Sequence, residues 1–221
     1  DADTVRRWYA DSEPDFRFCP KIPQTISHSR DLGMGGAQID QFCDAIQLLE
    51  EKLGACFLQL PPYFGPERLG QLDAFLRRFP RSIPLAVEVR HEAWFDNPDS
   101  SAHLFDLFEA RGVGAVITDV AGRRDVLHMR LSTHFTMVRF VGNDLHPTDY
   151  IRLEDWAQRL QRWQSLGLAE AYFFTHEPGN VLAPAAAAFL CSKMQDVPAI
   201  ITRGPHIGGE NANTGGQMSL F

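Results

Sequence analysis

The stretch Pro84–Phe95, PLAVEVRHEAWF, carries the fold in miniature. Side chains of an extended chain alternate between two sides, so Val87 and Val89 share one face and Glu88 and Arg90 the other. With the valines turned toward a layer of helices, Glu88 and Arg90 point into the opposite space, and the run then breaks into His91 and an aromatic turn at Trp94 and Phe95. An apolar run of strand length that ends in charged groups and leads into a helical pattern is the unit from which parallel sheets are built.

The same unit recurs along the chain. Phe16–Lys21 (FRFCPK), Ala55–Leu60 (ACFLQL), Gly114–Asp119 (GAVITD), Thr136–Gly142 (TMVRFVG) and Glu170–His176 (EAYFFTH) join Pro84–Arg90 to make six expected strands. Between them, Asp40–Leu53, Glu67–Phe79, Ser101–Ala110, Leu153–Leu166 and Ala183–Met194 place apolar residues at helical spacing. Only the connection from Arg123 to Phe135 lacks a long helical pattern. The pattern predicts an α/β chain with a TIM-barrel-like (β/α) architecture, whose active face lies at the C-terminal ends of the strands. Six strands of the usual eight are expected here, so two further strands are expected upstream of Asp1. A doubly wound open sheet is the alternative, although no Gly-rich phosphate turn follows any strand. The barrel domain is expected to span 1–201, with 202–221 as a tail.

Composition narrows the function classes. No apolar run reaches the roughly 18 residues of a membrane helix, and the N-terminus lacks the layout of a signal peptide. The four cysteines have no paired spacing, so a cytoplasmic setting with reduced thiols is expected. A formal charge of −7 opposes bulk attraction to nucleic acid. Any contact with DNA is then local or borrowed through a partner.

The six blocks FRFCPKIPQTISH, LGACFLQLPPYFGP, LAVEVRHEAWF, VITDVAGRRDVLHMRL, VRFVGNDLHPTDY and YFFTHEPGN, in that order, resemble the YecE-like family, catalogued as domain of unknown function 72. The similarity runs from Thr4 to about Leu190. It implies a TIM-barrel-like fold that begins with two more strand segments than this chain has, and it leaves the chemistry open. Many members carry paired Asn residues on the last strand, where this chain has Thr175 and His176 followed by Glu177.

Candidate chemistry gathers at the strand ends. Glu88 and Asp119 are candidate bases or metal ligands, and His91 and His176 candidate proton carriers. The alternative for Glu88 is a structural ion pair with Arg90, Arg139 or Lys21. Lys21, Arg90, Arg123 and Arg139 are candidate anion contacts, Gln59 and Asn143 polar contacts, and Trp94 a stacking wall for a sugar or base. Their residue types suit a hydrolase or lyase acting on an anionic sugar, phosphate or DNA substrate, with a non-catalytic binding module as the alternative. A divalent metal is a candidate cofactor, but no spacing of His, Cys, Asp or Glu singles out its ligands. Finally, the tail ends QMSLF. Gln217, Met218, Leu220 and Phe221 match the pentapeptide by which bacterial DNA-processing proteins dock on the sliding clamp, which makes that clamp a candidate partner.

Overall fold

The computed structural model describes residues 1–205. Five strands, β1 (Cys56–Gln59), β2 (Leu85–Glu88), β3 (Gly114–Val120), β4 (Phe135–Val141) and β5 (Glu170–His176), form one parallel sheet in sequential order. Eight α-helices accompany them among the described residues: α1 (Ala2–Asp11), α2 (Gln24–Ser27), α3 (Gln38–Gln47), α4 (Leu69–Arg78), α5 (Ala93–Asp96), α6 (Pro98–Arg111), α7 (Pro147–Ser165) and α8 (Ala183–Ser192). The sheet curls into an arc, with helices packed on its outer side. Between β3 and β4 the chain crosses without a helix, where the sequence shows no helical period.

The expected sixth strand is only partly realised. Phe16–Lys21 runs parallel to β1 and the residues before it but makes only two isolated bridges, Phe18 with Leu53 ahead of β1 and Lys21 with Phe57 in it. Its backbone bonds to the neighbouring chain at Phe18, Pro20 and Ile22. Pro20 accepts from Phe57 but has no N–H to return, so the ladder is interrupted there.

Two apolar layers lie between the sheet and its helices. One gathers Leu58, Phe64, Leu72, Phe75, Val87, Phe105 and Phe108, and the other Ile117, Val138, Phe140, Leu153, Trp156 and Leu160. Val87 and Val89 lie in the first of these, so Glu88 and Arg90 face inward as the alternation requires. A third cluster, Ala55, Ala86, Val116, Phe135 and Met137, with Phe57, Tyr172 and Phe174 against it, fills the inside of the arc. Gly114 is required there, since a Cβ would stand 2.6 Å from the ring of Phe135.

Local sequence explains the best-formed outer helix. Asn97 accepts the N–H of Asp99 at 2.8 Å, Pro98 occupies the first turn, and Gly112 closes the helix with φ of 67°. A cap at each end and Leu104, Phe105 and Phe108 on one face make α6 a strong crossover between β2 and β3.

Candidate functional site

Four expected site residues meet above the inner apolar layer. Gln59 and Glu88 are register partners on β1 and β2, and Gln59 Nε2 donates to Glu88 Oε2 at 2.8 Å. Lys21, beside β1 through its bridge to Phe57, donates from Nζ to Gln59 Oε1 at 2.8 Å. From β4, Arg139 Nη1 donates to both carboxylate oxygens of Glu88 at 2.8 Å. Arg90 approaches the same carboxylate at 3.8 Å while staying half-exposed. The Glu88 carboxyl, fully buried, is thus the hub of a polar network drawn from four segments of the sequence.

Two more groups complete this cup. His176 ends β5, next to the strand of Arg139. Burial, then the Arg139 charge, hold its imidazole below the ordinary histidine range, with Glu88 pulling the other way. Burial and Arg139 both favour the neutral imidazole, the form that can accept a proton. Thr118, the register partner of Arg139 on β3, buries a hydroxyl that has no hydrogen-bond partner among the described residues. Sequence reasoning missed Thr118 because a threonine inside GAVITD reads as an ordinary strand residue.

The cup is cationic. One carboxylate, Glu88, faces Arg139, Arg90 and, through Gln59, Lys21. The other two lysines are occupied elsewhere: Lys52 is buried on the carbonyls of Tyr9 and Ser12, and Lys193 pairs with Glu154.

The remaining expected residues lie apart from this group. Asp119 follows Thr118 and so points to the helical side, where it accepts from Arg124 (2.9 Å), Arg152 (2.8 Å) and Trp156 Nε1 (2.8 Å). It anchors α7 to β3 and does not reach the cup. Trp94 is wholly buried with its indole N–H on the Phe64 carbonyl at 2.9 Å, so its ring has no free face for a sugar or base. Arg123 spends its fork on Asp125. His91 Nδ1 accepts the N–H of Ala93 at 3.1 Å, at the entry to α5. Asn143 gives its backbone N–H to buried Asp149 at 2.7 Å and leaves its side chain exposed. Beside it, Glu177 packs against Gly142, a position where a Cβ would collide with its carboxylate. Burial raises the Glu177 carboxyl pKa despite a bond from the Asp144 N–H. Among the described residues no three His, Cys, Asp or Glu side chains come together as ligands for a metal ion. No helix among them is long and apolar enough to cross a membrane. Gln217, Met218, Leu220 and Phe221 lie outside the described residues.

Known proteins resemble most of the chain. Residues 1–206 match the family described as "Protein of unknown function DUF72". The chain is 32% identical over 200 residues to "UPF0759 protein YecE" of Escherichia coli K12, covering 82% of this chain and 73% of that protein. A shorter similarity, 26% identity over 132 residues, covers 52% of the chain and 37% of a "Probable fructose-bisphosphate aldolase class 1" of Chlamydia muridarum. Among solved structures, a DUF72 family protein from Enterococcus faecalis V583 superposes with a TM-score of 0.70 at 20% identity, over 91% of this chain and 81% of that one. One from Thermotoga maritima MSB8 gives 0.67 at 20% identity, over 88% and 78%. These two share the fold. The parallel half-barrel, the match across residues 1–206 and the identity to YecE together place the chain in the DUF72 (UPF0759) family.

Proposed function

We propose that the protein is a hydrolase or lyase that takes a small anionic sugar substrate, of the sugar-phosphate class, in the cup formed by Lys21, Gln59, Glu88, Arg90, Thr118, Arg139 and His176. The observation that carries this reading is the charge imbalance: three cations and one committed carboxylate on the inner face of a protein whose net charge is −7. An acidic protein that concentrates positive charge at strand ends has a local potential suited to an anion. The Chlamydia muridarum relative, by its printed name a probable aldolase of a bisphosphorylated sugar, supports the same substrate class.

Roles follow from the geometry. Glu88 accepts from Arg139 and Gln59 and is the counter-charge that holds the Arg139 fork in place. Arg90, half-exposed, and Lys21 present their remaining donors to a bound anion. The Thr118 hydroxyl, buried and unpaired among the described residues, gains a partner when a ligand enters. Proton transfer falls to His176, whose neutral form burial and Arg139 favour.

The test is an NMR titration of the histidine ring resonances with glucose 6-phosphate, fructose 1,6-bisphosphate and glucose. Saturable shifts of His176 with the phosphorylated sugars only, lost in Lys21→Gln/Arg90→Gln, are the expected result. Equal response to glucose, or none to any sugar, refutes the reading.

A second reading concerns where the protein works. The sequence QMSLF favours recruitment to the bacterial sliding clamp, with Gln217 as the amide contact and Leu220 and Phe221 as apolar anchors. It brings the barrel near DNA without requiring a basic surface. Binding of the peptide NANTGGQMSLF to a purified clamp, abolished by changing Leu220 and Phe221 to Ala, supports it. No binding at high micromolar clamp ends it.

A further inference from the structure

The segments that follow Lys21 and Gln59 in sequence, with the first turn of α4, enclose a second concavity. It is an open cavity of about 470 Å³ lined by His28, Ser29, Arg30, Tyr63, Arg68 and Gln71. Three of the six are basic, and among the described residues none of these three is paired with a carboxylate, although the chain carries 28 acidic residues.

The local carboxylates are turned elsewhere. Asp31 accepts the N–H of Gly33 at 3.1 Å and of Gly35 at 2.7 Å, and the Ser29 hydroxyl at 3.2 Å. These backbone donors hold its charge within its own loop. The Glu67 carboxylate folds over Gly65, a neighbour that has no side chain to displace it. Neither acid lines this cavity, although Asp31 lines the adjoining one that shares Arg30 and Gln71.

The Arg68 guanidinium is held ready. It lies 4.1 Å above the Phe64 ring, its Nε donates to Gln71 Oε1 at 2.9 Å, and one terminal nitrogen donates to the Arg30 carbonyl at 3.1 Å. These contacts fix the plane of the fork and leave Nη1 uncommitted, so little side-chain freedom is lost when an anion binds. Arg30 is exposed at the rim. His28 sits below with its Nδ1 at 2.8 Å from the Ser27 hydroxyl, which leaves Nε2 free to face a ligand. Tyr63, 62% exposed, forms one wall, its hydroxyl toward the His28 carbonyl. A fixed fork, an exposed guanidinium and an imidazole around a polar hollow suit a compact tetrahedral dianion.

We propose that this cavity is a second anion site, one that binds a phosphate group through Arg30, Arg68 and His28. It stands whether or not the cup binds sugars. The source of the phosphate is either the free ion or a monoester on a larger molecule, and the chemistry of the contacts is common to both.

The experiment measures binding of inorganic phosphate by calorimetry at low salt, in the Lys21→Gln/Arg90→Gln background, where the central cup has lost its free cations. Saturable binding is expected there. Adding Arg30→Gln should weaken it by about tenfold, as loss of a charged hydrogen bond does. Adding His28→Asn as well should abolish it, with circular dichroism showing both variants folded. Absence of phosphate binding in that background, or binding untouched by the Arg30 and His28 changes, overturns the second site and leaves the reading of the cup standing. Repeating the titration with glucose 6-phosphate separates the sources: tighter binding than inorganic phosphate assigns a monoester, and equal binding assigns the free ion.

Discussion

Replacing Glu88 by Gln isolates the hub of the cup. The side chain keeps its shape, but the carboxylate that accepts from Arg139 Nη1 and from Gln59 Nε2 becomes an amide. An amide must turn its own N–H₂ toward one of those donors. Glu88 is fully buried and the Arg139 side chain is 20% exposed, so the guanidinium loses its counter-charge in a place where water replaces it poorly. Breaking a buried pair from one side costs about 3–5 kcal/mol, and the partial access of water to Arg139 puts this case near the lower end, about 3 kcal/mol. At about 2–4 °C per kcal/mol for a chain of this size, the melting temperature should fall by about 6–12 °C. With a urea m-value of about 2 kcal/mol/M, the midpoint should fall by about 1.5 M. The partner variant Glu88→Met/Arg139→Met removes both charges and should recover much of that loss, since apolar replacement of a whole buried pair is often close to neutral. His176 supplies an independent readout. Glu88 raises its pKa against the effects of burial and Arg139, so Glu88→Gln should move the imidazole titration still further below the ordinary range. A loss in the single variant of under about 1 kcal/mol, or a double variant as unstable as the two single changes added together, refutes the assignment of Glu88 as a structural counter-charge. Catalytic activity lost with the stability untouched points instead to Glu88 as the base.

Asp119 should behave as an anchor. Asp119→Ala strands the Trp156 N–H and the Arg152 guanidinium, costing about 3–5 kcal/mol, and urea melts followed by tryptophan fluorescence should show this while ligand shifts at His176 persist. His128 should make stability depend on pH. It is half-buried, stacked against Phe95 and edge-on to Phe105 with Nε2 at 3.1 Å from the Val116 carbonyl, and desolvation there pushes its pKa down to about 4. Between that value and the 6.5 of an unfolded histidine, the unfolded chain binds the extra proton. Stability therefore falls as pH drops through this window, by up to about 3 kcal/mol, and levels off below it. Urea midpoints at pH 7 and pH 5 check the sign, and His128→Gln should flatten this dependence.

The arrangement of the sheet was legible because it depends on local period. Apolar runs of strand length, separated by helical spacing, announced the parallel strands, the helices α3, α4, α6 and α7 before successive strands and α8 after the last, but not α1. The alternation in AVEVR even gave the direction of Glu88, since two valines and two charged residues cannot share one face of a half-buried strand. The same logic did not resolve GAVITD. There Val116 faces inward and Ile117 outward, both apolar, so the run carries no contrast from which to tell that Thr118 enters the cup and Asp119 faces α7. Trp94 was misplaced for a related reason: its indole is satisfied by a carbonyl 30 residues away, and no local pattern records such a partner. Pro20 was visible, but its effect on the ladder depends on which neighbour runs alongside. Sequence by itself determined the class of fold, the order of the elements and the pool of residues at the strand ends. Tertiary structure decided which of them meet, because the curl of the sheet sets the distances between side chains from four separate segments, and because buried charges must find partners wherever the chain brings them.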